Sequence, residues 1–265
     1  MKTDIAPPPI DPSTLTDVAL ARAIAAEAGE LLATIRRSTD STAREIGARG
    51  DAEANALILD RLRTARPDDF ILSEESHDDR KRCAARRVWI VDPLDGTREF
   101  TEGLDDWAVH IGLAIDGVPV TGAVALPASG RIFATDDPVL PLLPRSSAPP
   151  RMVVSRSRTQ DMAGQVAADI GAEIIRMGSA GAKAMAVVAG DADIYLHDGG
   201  QYEWDNCAPA AVALAAGFHC SRIDGSPLVY NCADPLLPDL LICRPELARR
   251  VLNAVVRLRP GKGPS

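Results

Sequence analysis

Two aspartates three residues apart, at the end of an apolar run, are the residues of this sequence best suited to chemistry. The run 88–91 is short and apolar, as is typical of a buried strand, and Asp-Pro-Leu-Asp-Gly-Thr follows it at residues 92–97. Asp-Pro and Asp-Gly are turn dipeptides, so both carboxylates are expected at the strand end on restrained backbone. Either dipeptide alone would indicate only a surface turn. Both together with Thr97, directly after a buried strand, favour a functional site.

Four more acids stand beside predicted elements. Glu74 and Glu75 follow the apolar segment 70–73, Asp51 precedes a predicted helix, and Asp205 begins another. Each has a plain structural explanation. Neighbouring glutamates on an extended chain point to opposite faces and are usually solvated, and an aspartate before a helix is a common N-cap.

Several carboxylates brought together would suit phosphate chemistry. Hydrolysis of a phosphomonoester needs a strong nucleophile, stabilisation of charge on the phosphoryl oxygens and help for the leaving group. Two divalent metals roughly 3.5 to 4 Å apart can supply all three, and carboxylate oxygens are ligands that suit magnesium. The acids that the sequence offers as ligands are Glu74, Asp92, Asp95 and Asp205.

The motif at residues 92–97 resembles the signature of the lithium-sensitive, magnesium-dependent phosphatases. These are inositol monophosphatase, fructose-1,6-bisphosphatase and the 3'-phosphoadenosine 5'-phosphate (PAP) phosphatases. The continuation Thr-Arg-Glu-Phe at residues 97–100 is similar to the nucleotidase branch called CysQ, whereas inositol phosphatases usually continue Thr-Thr-Asn-Phe and fructose bisphosphatases carry Ser-Ser-Asn. Trp204-Asp205, about a hundred residues later, resembles the second family signature. Two signatures in the expected order are more specific than either alone.

The resemblance implies a site with two or three Mg²⁺ ions. One ion would be held by Glu74, Asp92 and the Leu94 carbonyl, and another by Asp92, Asp95 and Asp205. Asp51 and Thr97 would position the attacking water, with Glu74 also counted as catalytic, and no phosphoenzyme would form. The alternative for Asp51 from the residues alone is helix capping.

Residues of the second half resemble the substrate contacts of PAP phosphatases. Ser155, Arg156 and Ser157 follow a predicted strand, and Gly178-Ser179 opens a helix that carries Lys183. A helix N-terminus with a lysine is a reasonable anion site on physical grounds, although a polar loop and a capped helix would look the same. The full predicted set of substrate contacts is Gly96, Thr97, Ser155, Arg156, Ser157, Gly178, Ser179, Lys183 and Asp205. Arg158, where nucleotidases commonly have histidine, and the sequence 46–50 depart from the family pattern.

The resemblance therefore implies hydrolysis of the 3'-phosphate of PAP to give AMP, and of the sulfated form, PAPS, in sulfur assimilation. Inositol 1-phosphate and fructose 1,6-bisphosphate remain alternative substrates. A haloacid dehalogenase-like phosphatase spaces its aspartates two apart, unlike Asp92 and Asp95. A sensor that kept the fold without turnover is a further alternative, which retained hydrolysis would exclude.

Composition and charge argue against a nucleic-acid-binding protein and against a membrane protein. The 265 residues are 46% hydrophobic with a net charge of −8, which argues against binding to a nucleic acid polymer. The sequence shows no membrane-span or signal pattern, so we expect a cytoplasmic protein without a membrane partner. Five cysteines without Cys-x-x-Cys spacing are expected to be reduced, and the four histidines are expected to be structural. A small phosphorylated substrate and a possible homodimer are the partners that the resemblance implies.

The pattern of elements predicts an α+β fold. The resemblance specifies a layered α/β sandwich of the sugar-phosphatase type with two packed halves, and with the site at their junction. We expect an N-terminal arm at 1–12, a half that carries the metal site at 13–140, a linker at 136–150 and a second half at 151–265. The predicted strands are 70–73, 88–91, 107–115, 118–126, 131–135, 152–154, 173–176, 193–196, 218–223 and 240–243. Those at 107–115, 118–126 and 131–135, separated by the turn dipeptides Asp116-Gly117 and Ser129-Gly130, are expected to form an antiparallel meander. The predicted helices are 15–35, 52–65, 159–169, one opened by Gly178-Ser179, one from 204–205 to about 216, and 246–258.

Overall fold

The computed structural model describes residues 12–37, 42–139, 148–157 and 162–259. Its first sheet has five strands in sequence order, of which the first pair is parallel and the rest antiparallel. The strands are β1 Phe70–Ser73, β2 Arg87–Asp95, β3 Ala108–Ile115, β4 Val118–Leu126 and β5 Arg131–Ala134. Asp116 and Gly117 both have positive φ in the β3–β4 turn, as their turn dipeptide predicts. The predicted antiparallel meander is confirmed.

Two long helices cover one face of this sheet, α1 Asp17–Arg36 and α2 Ala43–Ala65. Alternate residues of β2 divide between the two faces because side chains on a strand alternate. Trp89 and Val91 pack against the helices, whereas Val88 and Ile90 face the interior of the molecule. The apolar stripe of α1 belongs to the same hydrophobic cluster as Trp89 and Val91.

The predicted start of α2 after Asp51 is wrong. Thr42 caps the helix in a capping box, in which Thr42 Oγ1 accepts the Glu45 amide and the Glu45 carboxylate accepts the Thr42 amide, so the helix begins eight residues before Asp51. Asp51 therefore lies inside α2 and is not an N-cap. Gly50 sits on the buried face, where a Cβ would lie 3.1 Å from carbon atoms of Leu32 and Leu94. Its lack of a side chain lets α2 pack closely.

The second sheet also has five strands, in the order β10-β12-β8-β6-β7. They are β6 Arg151–Ser155, β7 Glu173–Met177, β8 Ile194–His197, β10 His219–Ser221 and β12 Leu240–Cys243. A separate two-stranded sheet, which the sequence did not predict, pairs β9 Gln201–Tyr202 with β11 Leu236–Leu237. The remaining helices are α3 Thr97–Thr101, α4 Met162–Ile170, α5 Ala180–Val188, α6 Glu203–Ala215 and α7 Pro245–Leu258.

Helices α5 and α6 lie between the two sheets, and α4 and α7 cover the outer face of the second. The order of layers is helices, sheet, helices, sheet, helices, which confirms the layered α/β sandwich. Gly112 and Gly122 mark where α6 touches the first sheet. A Cβ at Gly122 would lie 2.5 Å from the Ala208 carbonyl oxygen, so the helix rests directly on strand backbone. Both halves of the chain thus contribute to one central core.

Some predictions fall outside the described residues. These are residues 1–11 of the predicted arm, 140–147 of the predicted linker, and Arg158. The division of the chain into two halves at residues 136–150 stays a prediction. All five cysteines are free thiols; Cys207 and Cys243 are buried, Cys220 is partly buried, and Cys83 and Cys232 are exposed. Within the described ranges, no helix combines the length and apolar character required to cross a membrane.

Candidate active site

The end of β2 carries both aspartates of the first motif. The pairing of β2 with β3 shifts register between Asp92 and Asp95, so the strand bulges there. Asp92 accepts a hydrogen bond from the Leu94 amide at 3.0 Å. Gly96 follows with φ of 89°, a conformation that favours glycine, and α3 starts at Thr97. Strand, bulge and turn together present two buried carboxylates within four residues.

Asp205 joins these two aspartates although it is far away in sequence. Carboxylate oxygens of Asp92, Asp95 and Asp205 all lie within 4.8 Å of one another. Asp205 occupies the first turn of α6, where its carboxylate accepts a hydrogen bond of 2.6 Å from the Tyr202 amide. Burial raises the pKa of Asp205 to about 6, and the charge of Asp95 adds to this. The predicted convergence of three acids is present in the structure.

Glu74 lies at the rim of this cluster, after β1. The Glu74 amide is 3.4 Å from the Val91 carbonyl oxygen on β2, and Asn55 of α2 accepts a hydrogen bond of 2.8 Å from Ser73. Burial, with the nearby Asp205 and Glu75, raises the pKa of Glu74 to about 7, and its carboxyl is hydrogen-bonded to Asp92.

Asp92 is the most deeply buried acid of the group. Burial raises its pKa well above the ordinary value, and repulsion from Glu74, Asp95 and Asp205 acts in the same direction. Asp92 is therefore the carboxylate that is least stable as an anion in this cluster. A cation bound among these acids would relieve that repulsion.

Asp95 behaves in the opposite way, because donors surround one of its oxygens. Its Oδ2 accepts hydrogen bonds from Ser179 Oγ and, at 2.7 Å, from the Gly181 amide, and it lies 3.2 Å from Nε2 of buried His110. Burial alone would raise the pKa of Asp95, but His110, Ser179 and Lys183 outweigh it and lower the pKa below its usual range. Asp95 is held ionised.

Asp51 and Thr97 meet beside the cluster, as the resemblance implies. Thr97 Oγ1 is 3.2 Å from Asp51 Oδ1 and also 3.2 Å from the Leu94 carbonyl oxygen, so its single proton bonds to one at a time. Burial raises the pKa of Asp51 to about 6, and the charge of Glu75 adds to the shift. The charge of Glu75 thus acts on Asp51, whereas the carboxyl of Glu74 is hydrogen-bonded to Asp92.

The predicted contacts at the start of α5 lie directly behind Asp95. Ser179 has φ of 41°, caps α5 through the Ala182 amide at 3.0 Å and donates to Asp95. Lys183 is 5% exposed, and its ammonium donates to the carbonyls of Gly178 and Ser179 at 2.8 and 2.6 Å. Burial lowers the pKa of Lys183 to about 8. Direct contact of Lys183 with a substrate stays a prediction.

The end of β6 forms a second polar cluster. Arg156 contacts Asp106 at 2.5 Å and Glu99 at 3.2 Å, and Asp106 also accepts the Gly178 amide at 2.6 Å. This network joins the end of β6 to the turn that precedes α5. The hydroxyls of Ser155 and Ser157 lie 3.2 Å apart at the same strand end.

A cavity of about 380 Å³ adjoins this network and runs along one face of α5. Its apolar lining comes mainly from Leu104, Leu126, Met177 and Met185. Arg156 and Asp106 stand at its edge, so the cavity lies beside the acidic cluster rather than within it.

Sequence reasoning missed three residues of the site. Glu99 and Asp106 were not named, although Glu99 belongs to the Thr-Arg-Glu-Phe sequence that favoured the nucleotidase branch. His110 was expected to be structural, yet it contacts Asp95. The predicted meander held a signal for His110, because antiparallel register places it opposite Asp92.

The donor set fits hard divalent cations. Carboxylate oxygens of two segments, the end of β2 and the first turn of α6, converge, and a backbone carbonyl lies within the same turn as Asp95. These ligands are oxygen only, which suits Mg²⁺. The raised pKa values of Glu74, Asp92 and Asp205 reflect anions packed closely enough to share a cation.

Comparison with known proteins agrees with this geometry. The 3'-phosphoadenosine 5'-phosphate phosphatase of Mycobacterium leprae is 50% identical over 254 residues, covering 91% of this chain and 94% of the relative. The 3'(2'),5'-bisphosphate nucleotidase CysQ of Salmonella typhimurium is 34% identical and covers 71% of this chain and 80% of the relative. The crystal structure of CysQ from Bacteroides thetaiotaomicron matches with a TM-score of 0.75 and 27% identity, over 85% of this chain and 96% of that one. The model of the inositol monophosphatase family matches residues 11–258, and the chain belongs to that family.

Proposed function

We propose that this protein is a Mg²⁺-dependent phosphomonoesterase that removes the 3'-phosphate of PAP to give AMP. The observation that carries the proposal is the convergence of Asp92, Asp95 and Asp205, in a chain 50% identical to a protein named as a PAP phosphatase. The oxygen-only acidic cluster supports the phosphate chemistry. The relatives support the choice of substrate.

Two ions account for the ligands. One ion would be held by Glu74, Asp92 and the Leu94 carbonyl. The other would be held by Asp92, Asp95 and Asp205, so that Asp92 is shared. The proposal is for two or three ions per site. Bound there, Mg²⁺ supplies positive charge that stabilises the phosphoryl oxygens and the leaving group. The crowding of Asp92 by three other acids supports its assignment as the shared ligand.

Asp51 and Thr97 orient the attacking water. Both side chains offer oxygen acceptors 3.2 Å apart, and a pKa of about 6 lets Asp51 accept a proton at neutral pH and release it again. The attack is direct, without a phosphoenzyme.

The remaining contacts serve the nucleotide. Arg156 provides positive charge at the end of β6, with Ser155 and Ser157 beside it. Gly96, Thr97 and Asp205 stand next to the reacting phosphate, and Gly178 and Ser179 form the turn behind it. Because its ammonium bonds to the Gly178 and Ser179 carbonyls, Lys183 acts through that turn.

Secondary substrates follow from family membership. Hydrolysis of inositol 1-phosphate or fructose 1,6-bisphosphate, and of PAPS, belongs to this proposal at lower efficiency than hydrolysis of PAP. Cytoplasmic location and a homodimer are likewise proposals, and their motivation is membership of the family.

The test is phosphate release from PAP, inositol 1-phosphate and fructose 1,6-bisphosphate in parallel, with Mg²⁺, with and without lithium. We expect the highest kcat/KM for PAP, loss of activity in EDTA, and inhibition by lithium. Preference for a sugar or inositol phosphate would overturn the substrate assignment. No release from any of the three would favour the sensor alternative.

A further inference from the structure

The imidazole of His110 bridges two segments that carry acids of the site. It is 0% exposed, with Nε2 3.2 Å from Asp95 Oδ2 and Nδ1 3.1 Å from the carbonyl oxygen of Trp204, the residue before Asp205. The Nε2 contact has ion-pair length, although the N–H does not point along it as in a linear hydrogen bond. One side chain thus spans from the end of β2 to the start of α6.

Gly181 leaves the room that this ring requires. A Cβ at residue 181 would lie 2.0 Å from His110 Nε2, far inside any van der Waals contact. The amide of Gly181 donates to the same Asp95 oxygen that His110 contacts, at 2.7 Å. Strand β3 and helix α5 therefore approach Asp95 together, and any side chain at residue 181 would displace the imidazole.

The three groups around Asp95 Oδ2 fix the direction of the carboxylate. Ser179 Oγ, the Gly181 amide and His110 Nε2 all contact Oδ2, which leaves Oδ1 as the oxygen free of these contacts. Partners behind a metal ligand orient it, and their loss typically weakens metal binding about 10- to 100-fold.

We propose that His110 is a positioning residue for the metal site, and that residue 181 must be glycine to leave room for its imidazole. The imidazole fixes Asp95 and the Trp204–Asp205 backbone relative to each other, so that both carboxylates reach the same ion. The inference rests on the proposed function, because it assumes that this cluster binds a divalent cation. It goes beyond the proposed function because it assigns a role to His110 and Gly181, which are ligands of neither metal nor substrate.

The test measures Mg²⁺ binding to the substrate-free protein by isothermal titration calorimetry, together with Tm in EDTA. His110→Asn keeps an amide near the Nδ1 position but ends short of Nε2, whereas His110→Gln keeps a nitrogen near Nε2. We expect His110→Asn to raise the Kd for Mg²⁺ about 10- to 100-fold and His110→Gln to raise it less. His219→Asn, on the outer strand β10, is the matched control and should leave the Kd unchanged.

A double-mutant cycle tests the match with Gly181. Gly181→Ala alone should weaken Mg²⁺ binding because its methyl group displaces the imidazole. In Gly181→Ala with His110→Asn the overlapping atom is gone, so the Kd should rise less than the product of the two single effects. Multiplicative effects would contradict the match.

The remaining outcomes separate this inference from the proposed function. An unchanged Kd in His110→Asn, whatever its Tm, would overturn the positioning role. A wild-type protein that binds Mg²⁺ but releases no phosphate from PAP would overturn the proposed function alone. Wild-type protein that binds no divalent cation would overturn both.

Discussion

At the residue scale, acids of the same chemistry are driven in opposite directions by their surroundings. Asp95 has its pKa lowered by His110, Ser179 and Lys183 against the effect of burial, whereas burial and neighbouring anions raise the pKa of Asp92. The difference lies in the partners, since both residues are buried on one strand end. Asp95 is an anion fixed by donors, and Asp92 is an anion that lacks compensation until a cation binds.

Asp95→Asn is expected to keep the fold but lower Mg²⁺-dependent turnover about a hundredfold or more. The amide oxygen can still accept from Ser179 and Gly181, while the ligand charge is lost. Removing about 3 kcal/mol of metal stabilisation corresponds to roughly two powers of ten in rate. Steady-state kinetics with PAP measures the effect. Asp116→Asn, at an exposed turn, is the control, and wild-type turnover in Asp95→Asn would refute the ligand assignment.

Thr97→Val is expected to lower kcat about 10²- to 10⁴-fold with little change in KM, because the hydroxyl that meets Asp51 is lost while shape is kept. Thr97→Ser should retain most activity. The matched control is Thr101→Val on the same helix, whose hydroxyl donates to the Arg98 carbonyl. If Thr97→Val and Thr101→Val had equal kcat, Thr97 would have no part in orienting water.

At the element scale, the site is the meeting point of a strand end and helix beginnings. β2 ends in a bulge that holds Asp92 and Asp95, α5 directs the Gly181 amide at Asp95, and α6 holds Asp205 in its first turn. Amides at a helix N-terminus are unpaired within the helix and favour negative charge. The position of α6 depends in turn on its close approach to β3 and β4 at Gly112 and Gly122.

Gly122→Ala is expected to lower the free energy of unfolding by about 1–3 kcal/mol, because its methyl group would overlap the Ala208 carbonyl oxygen. A displaced α6 would also carry Asp205 away from Asp92, so the Kd for Mg²⁺ should rise. Urea unfolding and calorimetry measure the two effects. Val120→Ala, at a 43% exposed position of the same strand, should change neither by a comparable amount. Unaltered stability in Gly122→Ala would contradict the close packing of α6 on β4.

At the scale of the whole molecule, the two sheets share the central core, and the candidate site combines the end of β2 with the start of α6. A buried arginine adds a polar link between the segment after β1 and a loop that contacts α6. Arg82 is 1% exposed, donates to Asp78 and, at 2.9 Å, to Asn231, which returns hydrogen bonds to the carbonyls of Arg82 and Ala85. Glu203 of α6 accepts the amides of Asn231 and Cys232 at 2.7 Å. The segment after Glu74 is thereby connected to the helix that carries Asp205.

The acidic cluster should make stability depend on pH and Mg²⁺ together. The pKa values of Glu74, Asp51 and Asp205 are raised to about 7, 6 and 6, and that of Asp92 is raised as well. Between about pH 4 and 7 these four acids thus bind more protons in the folded, metal-free protein than in the unfolded chain, so the stability that they contribute falls as pH rises. Mg²⁺ competes with those protons for the carboxylates, so it should stabilise the folded protein most at a pH at which the carboxylates are ionised.

We therefore expect Mg²⁺ to raise Tm more at pH 8 than at pH 5.5. At 100 times its Kd, a ligand that binds only the folded state adds about 2.7 kcal/mol, and protonation at pH 5.5 raises that Kd. Thermal unfolding in EDTA and in Mg²⁺ at pH 5.5, 7 and 8 measures the effect. Equal shifts in Tm at all three pH values would contradict the assigned pKa directions.

Much of this architecture could be predicted from local patterns. Short apolar runs predicted β1 and β2, and alternating apolar and small residues with turn dipeptides such as Asp116-Gly117 predicted the meander. The start of α2 was missed because Asp51 has the character of an N-cap, whereas the capping residue is Thr42. The small size of Gly47 and Gly50 serves packing against α3 and Leu94. The pair β9–β11 was missed because two-residue strands carry too little periodicity.

The acids of the candidate site could be identified from local sequence together with the family resemblance, since Asp92, Asp95 and Asp205 stand in short motifs. Their electrostatics could not, because they depend on tertiary packing. The pKa of a carboxylate depends on burial and on charges within a few ångströms, and those neighbours come from distant segments, as His110 and Ser179 do for Asp95. The same holds for Gly181 of α5, because the ring that requires its lack of a side chain is His110 on β3.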